Sequence, residues 1–275
     1  MFMNNMPSRI KNRLVSKALQ SLVRSGFYFR QQGFCPCCRN KTYFVSFDPW
    51  LRDYFKCTAC GSIPRNRALI NIIEKYYPNW ESLSIQESSP SGGGASARLR
   101  KSCAQYAASQ YYPAHLFGAM VGEFRNENLE RQTYADNSFD IVITQDVLEH
   151  VYDPASVFRE IARTLKPGGS HIFSVPLVNK HRPTQVWATR NPNGSPNFLY
   201  EPEYHGNPVD PCGSPVTMRW GYDIVKFIKN ETGLDTCIEH IDDPKFGIRA
   251  EFIEILVTRK SMTAKEVMIS PDTLR

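Results

Sequence analysis

At 275 residues, with 41% hydrophobic and 22% charged side chains, the chain has the length of one large domain or of a domain with a small module attached. Collagen-like, coiled-coil and wholly disordered architectures are excluded by that composition. No stretch approaches the roughly 18 uninterrupted apolar residues of a spanning helix, and the N-terminus lacks the apolar core and small-residue cleavage site of a secretory signal, so a soluble, cytoplasmic protein is expected. The net charge of +6 is unevenly spread: eight Lys/Arg and no acid precede Asp48, so the basic character belongs to the N-terminal part.

Within residues 1–32, Ile10, Leu14, Val15, Ala18, Leu19, Leu22 and Val23 fall on one face of a helix over 8–24, with Arg9, Lys11, Arg13, Lys17 and Arg24 around the rest. Such a basic amphipathic helix packs on the body of the protein, lies on an anionic membrane surface as a peripheral contact, or binds nucleic acid; an organelle-targeting peptide ranks last. Residues 33–62 form a cysteine module. Cys35-x2-Cys38, then 18 residues, then Cys57-x2-Cys60 is the tetrathiolate spacing of a structural zinc ribbon. Cys37 is a spare that can replace either neighbour, and Cys103, Cys212 and Cys237 stand singly.

Residues 63–262 read as an α/β domain. Ser62 as cap and Pro64 as first residue open a helix to about Tyr77, LSIQE (83–87) is a strand and PSGGG (90–94) a turn. Ala95 to Cys103 is helical and 104–112 holds a second strand, while 113–134 shows no readable period. FDIVIT (139–144) is a strand buried on both faces, and Asp153-Pro154 opens a helix with Val157, Phe158, Ile161, Ala162 and Leu165 inward, ended by Lys166 with Pro167-Gly168-Gly169. HIFSVPLV (171–178) is the next strand. The proline-rich stretch 179–218 is expected to be a polar lid; a helix over 221–232, strands over 236–241 and 251–259, and a tail over 263–275 complete the chain. Strands alternating with helices in this way make a parallel sheet with right-handed crossovers.

Ligands of such sheets sit beyond the carboxyl ends of the strands. Two segments belong there: ESSPSGGG (87–94) and FDIVITQDVLEHV (139–151). The second, with REIARTLKPGG (159–169), resembles class I S-adenosylmethionine-dependent methyltransferases of the type 11-like group, over roughly residues 80–260. A zinc ribbon joined to this domain, and the segment PEYHGNP (202–208), resemble a bacterial subgroup. The resemblance implies a Rossmann-like seven-stranded sheet of order 3-2-1-4-5-7-6 with the last strand antiparallel. It also implies S-adenosylmethionine binding by Glu87, Ser88, Gly92, Gly93, Gln110, Asn128 and Gln145. The chain departs from the family pattern in three places. Ser88, Ser89 and Pro90 precede the glycines, Gln110 stands where an acid grips the ribose, and Asn128 stands where an Asp is common beside the adenine.

Methyl transfer requires alignment of acceptor and methyl and exclusion of water, with a base only where the acceptor loses a proton early. His150, with Glu149 as its polar neighbour, and His205 are the candidate bases, and Asp146 is the orienting carboxylate. The expected activity is methyl transfer to a small-molecule, sugar or lipid-linked acceptor. The competing reading is a non-catalytic methyltransferase-like scaffold whose ribbon and basic helix bind nucleic acid or a protein; nucleic acid is disfavoured because the ribbon lacks a dense aromatic and basic face.

Overall fold

The structure, a computed structural model, describes residues 28–207 and 209–262. The basic helix expected over 8–24 and the tail over 263–275 lie outside the described residues. Among those residues no helix is long and apolar enough to cross a membrane. The chain forms two compact units: one of residues up to Tyr76 with Ser91–Lys101 and His240–Ile253, the other of Tyr77–Pro90, Ser102–Glu239 and the residues from Glu254 on.

In the first unit, β1 (Phe29–Cys35) and β2 (Asn40–Ser46) form an antiparallel hairpin, to which β3 (Lys56–Cys57) adds along β2. A single turn of helix, α1 (Leu51–Tyr54), precedes β3, and α2 (Pro64–Tyr76) and α3 (Gly94–Ser102) follow. Pro64 at the start of α2 gives up no hydrogen bond, because the first helical N–H groups have no partner within the helix. Ser62 does not cap the helix as expected. Its hydroxyl lies 3.3 Å from Cys35 Sγ and 3.2 Å from Cys60 Sγ. Ala68, Leu69, Ile70, Ile72 and Ile73 of α2 are buried, each large aliphatic side chain stabilising by about 1.5–3 kcal/mol.

Residues 244–247 were expected to lie in the sheet domain, yet they pack on the β1–β2 hairpin. A Cβ at Gly33 would stand 2.0 Å from the Lys245 carbonyl oxygen, and one at Gly247 (φ +67°) would stand 2.5 Å from Phe44 Cγ. Only glycine admits the two backbones at that separation.

The second unit is built on an eight-stranded mixed sheet. Its parallel strands are β4 (Ser84–Ser88), β5 (Gln105–Gln110), β7 (Phe124–Asn126), β8 (Phe139–Gln145) and β9 (Leu165–Ser174). At one edge β6 (Met120–Val121) pairs antiparallel with β7; at the other, β17 (Ile255–Arg259) runs antiparallel between β9 and β16 (Asp235–Glu239). The order is β16-β17-β9-β8-β4-β5-β7-β6, a Rossmann-like arrangement with eight strands where seven were expected. The extra strand, β6, comes from the stretch without a readable period. The segment Lys166–Gly169, expected as a helix end, follows the last helical residue, Thr164, and falls within β9 as an irregularity: the register against β8 shifts there, and Gly168 takes φ +80°.

Helix α4 (Pro154–Thr164) follows its sequence signals closely. Asp153 caps it, its carboxylate accepting from Ser156 N at 3.0 Å. Val157, Phe158 and Ile161 are buried, and Phe158 meets Phe227 of α5 (Ile224–Thr232) at 6.0 Å between ring centroids. Between β9 and α5 the expected lid is a set of short antiparallel pairs: β10 (Gln185–Val186) with β15 (Met218–Arg219), β11 (Ala188–Arg190) with β12 (Pro196–Phe198), and β13 (Tyr204–His205) with β14 (Ser214–Pro215).

His171 is buried in β9, its ring stacked on Phe173 at 4.1 Å and its Nε2 3.0 Å from Thr144 Oγ1. Burial disfavours the imidazolium and lowers its pKa to about 3. The unfolded chain then binds this proton more readily than the native protein, so His171 leaves stability unaffected above pH 6.5 and reduces it as the pH falls from 6.5 towards 3. We expect His171→Gln, which keeps a donor for Thr144 without a titrating group, to recover roughly a few kcal/mol of this acid loss. Urea denaturation at pH 7 and pH 4.5 measures it; an unchanged acid slope in the variant refutes the assignment.

Candidate functional site

Three clusters of chemically capable side chains arise, one in the first unit and two in the second. In the first unit Cys35 ends β1 and Cys38 lies in the turn after it, and Cys57 ends β3 and Cys60 lies in the turn after that. Their sulfurs gather with Cys35 Sγ 3.8 Å from Cys60 Sγ and Cys38 Sγ 3.9 Å from Cys57 Sγ, and all four lie within 4.8 Å of one another. Cys37 is buried and is not one of the four. Thiols this close cannot ionise independently. Contact with Cys35 holds Cys38 far above the ordinary thiol range, and Cys60 is raised likewise, while Cys57 is driven far below it.

The cluster rests on Arg67, which is fully buried. Its guanidinium donates to the carbonyls of Ser62, Phe55 and Gly247, the last at 2.6 Å from Nη2, and lies 4.6 Å from the centroid of the Phe44 ring. Burial works against the charge on Arg67, and the cysteine sulfurs around it work in favour of it.

In the second unit the decisive group is Glu87, near the carboxyl end of β4 and fully buried. Tyr106 Oη of β5 donates to its Oε2 at 2.6 Å, and Gln145 Nε2 of β8 donates to its Oε1 at 2.7 Å. From β4 the chain proceeds to β5 on one side and, later, to β8 on the other. The Glu87–Gln145 bond therefore crosses the seam where strand order reverses, the place where open α/β sheets bind their ligands. Ser88 pairs in register with Ser109 and Thr144 beside it.

Gln110 ends β5 and is buried, and its carbonyl accepts from Glu127 N at 3.0 Å. Asn128 lies in a turn, where its Oδ1 accepts from Glu130 N at 2.9 Å. The fully buried amide beside β5 is Asn126, which the sequence reading missed. Its Nδ2 donates to the Tyr112 and His115 carbonyls, and its Oδ1 accepts from Tyr112 N. Glu127, also missed, accepts from Arg125 and from the Thr133 backbone and hydroxyl. Gly92 and Gly93 belong to the first unit, ahead of α3, and the space a Cβ would take at either is open.

The turn after β8 brings the predicted bases together. Asp146 takes φ +52° and is held by Ser174, which donates its hydroxyl to Asp146 Oδ1 at 2.9 Å. The carboxylate beside the imidazoles is instead Glu149, with Oε1 3.8 Å from His150 Nε2 and 3.8 Å from His205 Nδ1. The two rings meet edge to face at 5.0 Å. Three anchors fasten this turn to the segment carrying β13–β15. Thr217 donates its N–H to the Glu149 carbonyl and its hydroxyl to the Val151 carbonyl, and Trp220 Nε1 donates to the Leu148 carbonyl. Burial lowers the pKa of His150 to about 4, so its ring is neutral at pH 7. Elsewhere in this unit Tyr152, Pro154, Val186, Arg190, Met218 and Phe227 are among the residues lining an open cavity of about 450 Å³; none of the sequence-predicted site residues lines it.

Residues 91–173 match the family described as "Methyltransferase domain". The chain is 43% identical over 79 residues to a ubiquinone biosynthesis O-methyltransferase of Hahella chejuensis, covering 27% of this chain and 32% of the relative. It is 32% identical over 66 residues to a phosphoethanolamine N-methyltransferase of Triticum aestivum, covering 24% and 13%. Among solved structures it is similar to an S-adenosylmethionine-dependent methyltransferase from Mesorhizobium loti, at 14% identity and a TM-score of 0.44, covering 70% of this chain and 98% of that one. The curated relatives are thus matched over about a third of their length or less.

Arg67 supplies a prediction. Arg67→Met retains bulk but strips three buried carbonyls of their donors, at a cost of about 3 kcal/mol or more. A matching drop in the urea denaturation midpoint of the full chain is expected, and a change below about 0.5 kcal/mol would count against the role given to the guanidinium.

Proposed function

We propose that this chain transfers a methyl group from S-adenosylmethionine to a small-molecule, sugar or lipid-linked acceptor. The observation that carries the reading is the buried Glu87 carboxylate, held between Tyr106 and Gln145 at the sheet's switch point. A fixed anion there suits a ligand bearing an ammonium and a sulfonium centre, because a buried carboxylate with neutral donors gains from a cation at its edge. The methyltransferase match over 91–173 supports the same ligand. Glu87, Ser88, Gln110, Asn128 and Gln145 are the residues of this unit that would hold it, while the amide of Asn126, spent on the Tyr112 and His115 backbone, braces the loop beside them. When bound, the cofactor supplies an electrophilic methyl group. The protein supplies alignment, exclusion of water and, at the turn after β8, groups able to orient the acceptor or receive its proton. His150 is neutral and buried, and His205 is the more open of the two rings.

Calorimetric titration with S-adenosylhomocysteine tests the reading. We expect saturable binding by the full chain, and at least tenfold weaker binding by Glu87→Gln, which preserves volume and removes the charge. No binding by the folded parent would instead favour a non-catalytic scaffold.

We further propose that Cys35, Cys38, Cys57 and Cys60 hold one structural zinc. The gathering of four sulfurs from two paired turns supports it, as does the chemistry of the set: a divalent cation stabilises as thiolates a cluster that otherwise shares its protons. Elemental analysis should show the zinc content falling by one equivalent in Cys57→Ser, with a lower thermal midpoint. Equal zinc in parent and variant refutes the site.

A further inference from the structure

The two histidines beside Glu149 are arranged as ligands. Each ring has its outer nitrogen tied to an acceptor that cannot donate. His150 Nδ1 lies 2.9 Å from the Pro215 carbonyl, and a carbonyl requires that nitrogen to carry the hydrogen. His205 Nε2 lies 3.4 Å from Glu203 Oε1, a carboxylate held ionised by Arg219, whose Nη2 donates to Oε2 at 2.5 Å. The tautomers follow from these contacts. The remaining ring nitrogens, His150 Nε2 and His205 Nδ1, are the ones left to ligate, and each faces the same oxygen, Glu149 Oε1, at 3.8 Å.

Two imidazole nitrogens and a carboxylate oxygen that converge on one point form a donor set for a cation. We propose that Glu149, His150 and His205 bind a divalent transition-metal ion, separate from the cysteine cluster. The three donor atoms lie within 4.8 Å of one another. Ligand bonds of about 2.0–2.2 Å place neighbouring donors roughly 3–3.5 Å apart, so closure on an ion draws the two 3.8 Å pairs in by about half an ångström and the two imidazole nitrogens, within 4.8 Å of each other, by up to about 1.5 Å. An imidazole whose second nitrogen donates to a carbonyl or carboxylate is the usual form of a metal-bound histidine, because that bond orients the ring and raises its basicity. Both histidines have such a partner here, and Arg219 orients the one belonging to His205.

The donor set also selects the ion. Two imidazoles and one carboxylate suit zinc or iron(II) rather than magnesium or calcium, which take all-oxygen shells. Three protein ligands leave coordination positions open. The Glu149 side chain is 3% exposed and that of His150 16%, while His205 is 39% exposed, so the open positions face the His205 side. A metal here binds an oxygen or nitrogen donor of an incoming molecule and lowers its pKa. The ring-nitrogen geometry holds whatever the methyl acceptor; with an ion bound, the imidazoles no longer receive a proton and the metal takes the acceptor-orienting role of this turn.

The test uses the full chain, with zinc and Co2+ as probes. Zinc content is measured for the parent and for His150→Gln/His205→Gln, both prepared in zinc-supplemented medium. We expect the double variant to hold one equivalent less, whether or not the cysteines hold a zinc of their own. Co2+ added to the purified parent should give visible bands without the near-ultraviolet sulfur-to-cobalt absorption of a thiolate site. Glu203→Gln, which leaves all three ligands in place, should weaken Co2+ binding by about 10–100-fold and thereby reports on the site even if the double variant fails to fold. S-adenosylhomocysteine titration of Glu203→Gln separates the two readings, since lost metal with retained cofactor binding belongs to this site alone. Equal zinc in parent and folded double variant, or Co2+ affinity unmoved by Glu203→Gln, overturns the proposal.

Discussion

A fully buried carboxylate in the middle of a sheet is costly unless its oxygens are satisfied, and the centre of the second unit is arranged around meeting that requirement for Glu87. One donor comes from each flanking strand, Tyr106 on β5 and Gln145 on β8. In the ladder Glu87 pairs with Ala108 and Ile143, so Tyr106 and Gln145, each two residues away from those partners, lie on the same face of the sheet. A one-residue slip of either strand would turn its donor to the opposite face and strand the carboxylate. Glu87 thus specifies the register of three parallel strands as well as the charge at their carboxyl ends.

The turn after β8 depends on a different kind of constraint. Its backbone carbonyls at Leu148, Glu149 and Val151 are taken by Trp220 and Thr217. These anchors come from the far end of the segment that follows β9, and through β13 and β14 they carry His205 to His150. The register of that pair, His205 opposite Ser214 and Tyr204 opposite Pro215, puts the Pro215 carbonyl and the His205 ring on the same small ribbon. The histidine cluster is therefore a product of the hairpins, and loosening Thr217 would disturb both rings together.

In the first unit a cation plays the part that Glu87 plays in the second. Arg67 donates to carbonyls on three separate stretches of chain, at Phe55, Ser62 and Gly247, and its guanidinium lies over both the Phe44 and Phe55 rings, 4.6 and 5.6 Å from their centroids. A Lys could not serve three such carbonyls, because its ammonium is a compact point charge without the rigid fork of donors. The residues around 240–253 join the cysteine turns through this guanidinium and through the close approach allowed at Gly33 and Gly247.

Much of this was legible from the chain alone, wherever a local rule is strong. FDIVIT announces a strand buried on both faces because no polar residue interrupts it after Asp140, Asp153-Pro154 announces a helix start because the cap and the fixed φ are local chemistry, and the paired cysteines announce their cluster by spacing. The stretch 113–134 and the lid were not legible, since strands of two or three residues have no period to read and exist only because a distant backbone pairs with them. The bracing role of Asn126 was not legible because its burial is decided by where β7 lies against β5. The sequence by itself determined which residues carry charge, lone pairs and thiols, and the order of the main helices and strands. Only the tertiary structure decided which of them meet: Glu149 and not Asp146 beside the histidines, His205 against His150 across 55 positions, Gly247 against Phe44 across about 200. Local propensity reaches a few residues along the chain, whereas those meetings are fixed by backbone pairing and close packing between segments far apart in sequence.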